Sequence, residues 1–172
     1  MKNRNEQIEM YRELWDSFID GTQRFWITFN PMTPAMTNLD FVEVMDGTLN
    51  KTMHKTFGYR WKMNKRLPKV LLMPEEHSSK TNGNTLLHYH GVFCFKNEKR
   101  LNRFKMCLPS MFTQKVFAYR NKQSRKYALE MPTVHYSEWD SSKDAFGYTL
   151  KQYGRKYDID DYYVWGKERE RK

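Results

Sequence analysis

Three short places in this chain carry residues able to do chemistry. The stretch "TLLHYHGVFCF", Thr85–Phe95, holds His88 and His90 one residue apart in an otherwise apolar, aromatic run. Glu75, Glu76 and His77 stand shortly before it, and "YTLK" downstream holds Tyr148 and Lys151. Two imidazoles and a carboxylate leave open positions on a metal for water and a phosphate, which suits Mn²⁺ or Mg²⁺. A tyrosine hydroxyl titrates near ~10 and is a poor nucleophile at neutral pH. A polarised phosphate and a nearby cation would let it attack a phosphodiester, with Lys151 steadying the phenolate or the pentavalent phosphorus. "YGRK" repeats the Tyr-x-x-Lys spacing at Tyr153, but Gly154 is expected to end the helix there.

Those residues need elements to hold them. Strand alternation puts His88, His90, Val92 and Cys94 on one face and Tyr89, Phe93 and Phe95 on the other. A strand over 67–77 with Pro74 near its end, followed by Asn82-Gly83, predicts a hairpin that folds the acidic residues back beside the histidines. Alternation then allows one of the two glutamates, or His77 alongside Glu75, to face the pair. The helix expected over 141–154, capped by Ser141 or Ser142, puts Tyr148 and Lys151 on one face.

Around these, periodicity predicts a helix over Asn5–Asp20 and a strand at "RFWITFN", 24–30. A second helix follows from Asn38 to about Phe57, with Thr37 or Asn38 as cap and Gly47 inside it. Residues 97 to about 117 read as a helix interrupted near Pro109, and "TVHYSEW" (133–139) as a strand. The last stretch, "DIDDYYVWGKERERK", has no assignable element. The fold class expected is α+β: a central antiparallel sheet with helices packed mainly on one face, in one domain spanning 1–172. Its core would run from about 24 to 154, with a basic, aromatic tail over 155–172.

The chain has 30 Lys and Arg against 20 Asp and Glu, a formal net of +10. The cations recur in clusters at 51–66, 96–105, 119–126 and 151–157, interleaved with Tyr, Phe and Trp, the mix that neutralises phosphates and stacks on unpaired bases. Arg60, Lys62, Arg120 and Gln152 fall in these clusters and join Trp26 and Thr28 as candidate DNA contacts. The two cysteines, Cys94 and Cys107, have no metal or redox spacing, which fits a reducing compartment. No stretch approaches the ~20 apolar residues of a membrane span, and the first residues lack the apolar core of a secretory signal. A cytoplasmic protein is expected, or one of the host nucleus if it comes from a eukaryotic virus.

"FWITFN", then "HYH" after an acidic hairpin, then "YTLK" in a later helix resembles the HUH endonucleases, and among them the single-tyrosine rolling-circle replication initiators. The resemblance runs from about Arg24 to Lys151. It implies the HUH (RRM-like) nuclease fold and Glu75, in preference to Glu76, as third ligand beside His88 and His90. It also implies Tyr148 as nucleophile, a 5′-phosphotyrosine intermediate and a released 3′ hydroxyl. "FWITFN" would serve the sheet core, with Trp26 or Thr28 near the DNA. The partners implied are a single-stranded DNA origin, which can include a stem-loop, and host replication proteins, with no membrane.

Two other readings fit parts of the pattern. A single-tyrosine HUH transposase of insertion-sequence type would use a Tyr-x-x-x-Gln helix, here Tyr148 and Gln152, with glutamine as a metal ligand. A non-catalytic single-stranded nucleic-acid-binding module would use the same charge and aromatics without chemistry.

Overall fold

The computed structural model describes residues 4–19, 23–34, 36–63, 67–78, 85–96, 98–123, 130–139, 146–147 and 161–165. In chain order these form α1 (Arg4–Ile19), β1 (Gln23–Asn30), α2 (Asn38–Phe57), a single 3₁₀ turn (Trp61–Met63), β2 (Lys69–Ser78), β3 (Thr85–Phe95), α3 (Glu98–Lys122), β4 (Thr133–Glu138) and β5 (Tyr163–Trp165). The expected α+β class is what is found. The five strands make one sheet in the order β4-β1-β3-β2-β5, with every neighbouring pair antiparallel.

Period-two alternation decides what each face carries. From β1 the residues Phe25, Ile27 and Phe29 are buried, while Trp26 and Thr28 on the other face are only half-buried. The first set joins Leu72, Tyr89, Phe93 and Phe95 in the main core, beneath α2 and α3, which supply Phe41, Met45, Leu49, Phe104, Leu108 and Phe112. Each such side chain contributes roughly 1.5–3 kcal/mol of burial, so this layer carries most of the fold. On the opposite face Leu71, Met73, Val92 and Cys94 pack with Trp15 of α1 and with Tyr162, and Ile8, Trp26, Trp139 and Phe146 lean against them. The two long helices therefore share one face, and α1 partly covers the other.

Helix α2 starts where its caps say it should. Thr37 is the N-cap, its hydroxyl oxygen accepting from the Asp40 N–H while the Asp40 carboxylate accepts from the Thr37 N–H at 2.9 Å. The helix ends at Gly58, whose positive φ of 87° favours a residue without a Cβ and whose N–H donates to the His54 carbonyl.

Two expectations need correction here. Pro109 does not interrupt α3, which runs unbroken to Lys122. Proline has no N–H to donate to the carbonyl four residues back, which is that of Lys105. The Tyr136 hydroxyl of β4 donates to that carbonyl at 3.0 Å and takes over the missing bond. The C-terminal stretch also gains an element, β5, which pairs with β2 through Val70↔Trp165 and Leu72↔Tyr163. It is pinned by the Tyr163 hydroxyl donating to Asp46 of α2 at 2.7 Å.

Candidate metal centre

Strands β2 and β3 pair in the register Glu75↔His88 and Met73↔His90. Residues directly opposite in an antiparallel pair point to the same face, so Glu75 joins both histidines on the α1 side of the sheet. Glu76 is opposite Leu87, on the alternate face. The Glu75 carboxylate oxygen Oε2 lies 3.4 Å from His88 Nε2 and 3.3 Å from His90 Nδ1. One ligand atom from each of the three residues lies within 4.8 Å of the others, so Glu75, His88 and His90 form a group that could hold a metal ion.

The spacing fits a single ion. Ligands at ~2.1 Å from one centre stand about 3 Å from each other, close to the carboxylate–imidazole separations here. Burial fits too: Glu75 is 6% exposed and His90 5%, and a carboxylate so far out of water needs a cation or strong donors beside it. His77 lies in β2 opposite Leu86, and its side chain is outside the described residues.

The histidines are held from beneath. Tyr89, between them in sequence, points to the other face and is fully buried. Its ring stacks on Phe41 with centroids 3.3 Å apart, and its hydroxyl donates to Asn38 Oδ1 at 2.6 Å. Asn38 in turn donates to the Asp161 carbonyl. The strand is thus fastened to the first turn of α2 at the residue separating the two imidazoles.

Trp26 and Thr28, expected near the DNA, border this site. Thr28 is the β1 residue opposite His90, and the Trp26 ring lies 5.6 Å from the His90 ring. His135 of β4, exposed and opposite Thr28, continues the row; sequence reading did not single it out, and its signal was alternation in "TVHYSEW".

Three other expectations fare differently. Arg120 does not face solvent: it is 5% exposed, and its guanidinium donates to Thr33 Oγ1 and to the carbonyls of Pro31, Met32 and Glu130. A guanidinium spent on four internal acceptors is a clamp for the segment after β1, which removes Arg120 from the DNA contacts. Arg60 and Lys62 are exposed but distant from the triad. Trp61 between them stacks on Trp165, whose register partner Val70 precedes Glu75 by five residues, roughly 17 Å along the strand.

Tyr148, Lys151, Gln152 and Tyr153 lie outside the described residues. Among the described tyrosine side chains, Tyr89, Tyr136 and Tyr163 belong to the opposite face. Burial pushes the Tyr136 hydroxyl well above the ordinary range, aided by nearby Cys107. Burial does the same for Tyr163, aided by its hydrogen bond to Asp46. Tyr162 is the described tyrosine on the triad's face, packed in the Trp15–Met73 cluster. Comparison with protein-family models, curated proteins and solved structures finds no match for this chain.

Proposed function

We propose that the protein nicks and joins single-stranded DNA in a metal-dependent reaction through a tyrosine, as a rolling-circle initiator does. The observation that carries this reading is the triad: a buried carboxylate opposite two strand histidines, with donor atoms at 3.3 and 3.4 Å. A Mn²⁺ or Mg²⁺ held by Glu75, His88 and His90 would polarise a phosphodiester and offset the charge that builds on its oxygens. The nucleophile in this reading is Tyr148. Its phenolic oxygen gives up its proton and bonds to phosphorus, the bond to the 3′ oxygen breaks, and that oxygen takes up a proton and leaves as the 3′ hydroxyl. Lys151 steadies the phenolate, and reversal of the step rejoins a strand.

Phe146 supports the assignment. It packs edge-on against Trp15 at 6.2 Å on the triad's side of the sheet. Tyr148 follows it by two residues in the sequence. Trp26 and Thr28, beside His90, would contact the strand. Glu75 as third ligand favours the initiator pattern over the transposase pattern, in which Gln152 would take that place.

The test is a covalent-adduct assay. The purified protein is mixed with origin-derived or randomised single-stranded oligonucleotides and Mn²⁺, then run on denaturing gels. The expected result is a shifted protein–DNA band that is lost with EDTA and with Tyr148→Phe, but retained with Tyr153→Phe and Tyr162→Phe. Loss of metal binding in Gln152→Ala, with Glu75→Ala unaffected, would move the assignment to the transposase. Metal-independent binding with no adduct on any DNA would leave a binding module only.

A further inference from the structure

The positive charge of this chain is concentrated in two stretches free of acids. Residues 47–74 and 99–129 hold sixteen of the thirty Lys and Arg and none of the twenty Asp and Glu. The remainder, with fourteen cations and twenty acids, is net acidic. The two acid-free stretches cover the second half of α2, the 3₁₀ turn, the start of β2 and nearly all of α3. The paired helices α2 and α3 lie on the sheet face opposite Glu75, His88 and His90.

The helices run antiparallel, and their outer surfaces enclose a groove. An exposed Glu43–Lys122 pair at 3.5 Å marks one end. Beyond it Lys115 lies across Gly47, so close that a Cβ there would sit 2.7 Å from the Lys115 Cε and Nζ. The groove then opens to about 400 Å³ between Asn50, Lys51, His54, Lys55, Met111 and Gln114. Past the end of α2, Tyr59 stands 91% exposed with its ring edge-on to His54 at 5.5 Å, and Lys62 lies over the Trp61 ring. A helix dipole accounts for His54 and Lys55 in the last turn of α2. It does not account for Lys51, for Lys115 in the middle of α3, or for the absence of any acid over 31 consecutive residues of the 99–129 stretch.

We propose that this groove is a second binding site, and that it takes the phosphodiester backbone of a single-stranded nucleic acid. Lys51, Lys55 and Lys115 meet successive phosphates, and the exposed Tyr59 offers its ring to an unpaired base. Cations tracking a backbone beside a free aromatic face are what a single strand binds without sequence readout. The site needs no metal and is separated from the triad by the sheet and a helix layer of about 10 Å.

The experiment measures binding of fluorescent oligothymidine by anisotropy, in EDTA, over a range of salt. Neutralising three phosphate contacts lowers the slope of log affinity against log salt by about 2 for a single strand. The full chain carrying Lys51→Gln, Lys55→Gln and Lys115→Gln is expected to lose that much slope, while Arg12→Gln, on α1 across the sheet, leaves it unchanged. Tyr59→Ala is expected to weaken binding roughly tenfold at unchanged slope. Circular dichroism and urea midpoints confirm that each variant is folded. An unchanged slope in the folded triple variant, or unchanged affinity in Tyr59→Ala, overturns the proposal. So does a loss confined to poly-glutamate, which would assign the groove to an acidic protein. Because binding is read without metal, its outcome is independent of the covalent-adduct assay, and either reading can fail alone.

Discussion

The Tyr136 hydroxyl donates to the Lys105 carbonyl, the one acceptor in α3 that Pro109 leaves without its helical N–H. The pair explains how a helix crosses a proline without breaking, and it predicts a coupling. Tyr136→Phe should cost about 1–2 kcal/mol by leaving that carbonyl unsatisfied. In a Pro109→Ala background, where the alanine's own N–H restores the helical bond, the same change should cost less than half as much. A double-mutant cycle by urea denaturation reads the difference.

A metal at the triad should stabilise the fold, since the three ligands come together only when β2 and β3 pair. At a hundredfold excess over its dissociation constant, Mn²⁺ is expected to add about 2.7 kcal/mol. Glu75→Gln and His90→Ala should abolish that increment. Thermal denaturation with and without Mn²⁺ measures it without reference to any activity, and an equal gain in both variants would exclude the triad as the site.

Arg120 should behave as a structural residue. Arg120→Met removes four hydrogen bonds at a site only 5% exposed, and the expected cost is about 3 kcal/mol or more. Arg120→Lys should rescue little, because an ammonium cannot reproduce the planar fork. Urea titration gives both values, and a loss below ~1 kcal/mol would contradict the clamp.

Asp40 gives one pH dependence. Burial alone would push its carboxyl up, but hydrogen bonds from the Thr37 N–H and hydroxyl and from Tyr119 outweigh this and hold it below the usual carboxylate value. A folded-state value below the unfolded one means that the stabilisation is fully present above the unfolded pKa, near ~4. It is lost as pH falls through the lower, folded value. Asp40→Asn should therefore be less stable than the parent at pH 6, with the gap closing as pH falls towards 2.5. A constant gap would mean that the capping box does not depend on the charge.

Two glycines should respond in opposite ways. A Cβ at Gly91, directly after His90, would lie 1.9 Å from the Leu71 carbonyl oxygen in the neighbouring strand. Gly91→Ala must push β2 from β3, with an expected loss of about 3 kcal/mol or more and weakened metal binding at the triad. At Gly47 the obstruction is only the flexible end of Lys115. Gly47→Ala should displace that side chain and gain up to ~1 kcal/mol of helix propensity. Chemical denaturation of both variants, with Mn²⁺ titration of the first, checks the signs.

Much of this was legible in the chain. The alternation in "RFWITFN" and "LLHYHGVFCF" named the right face for each residue, because a strand half-buried on both sides still has to choose side chains with period two. The acidic hairpin narrowed the third ligand to one of two glutamates by strand alternation, the family resemblance favoured Glu75, and the register Glu75↔His88 puts that residue on the histidines' face. What sequence reading missed depends on partners distant in the chain. Arg120 looked like one more surface cation, and only the path of 30–33 beneath α3 turns it inward. Pro109 looked like a break because the donor that replaces its missing bond comes from β4, 27 residues later. Strand β5 is three residues long and has too few positions to show a period.

Among the described residues, charge is distributed unequally across the sheet. Helix α1, which covers part of the triad's face, carries Glu6, Glu9, Glu13 and Asp16 against Arg4 and Arg12. If the α2–α3 groove takes a nucleic acid as proposed, a polyanion arriving by diffusion would be drawn first to that layer. Capture and chemistry would then be successive events: a strand lands on the helices, and a second segment of it passes round the sheet edge to reach Glu75, His88 and His90. Association would be fast and strongly slowed by salt, while delivery to the triad would depend on how much slack the strand has beyond its first point of contact.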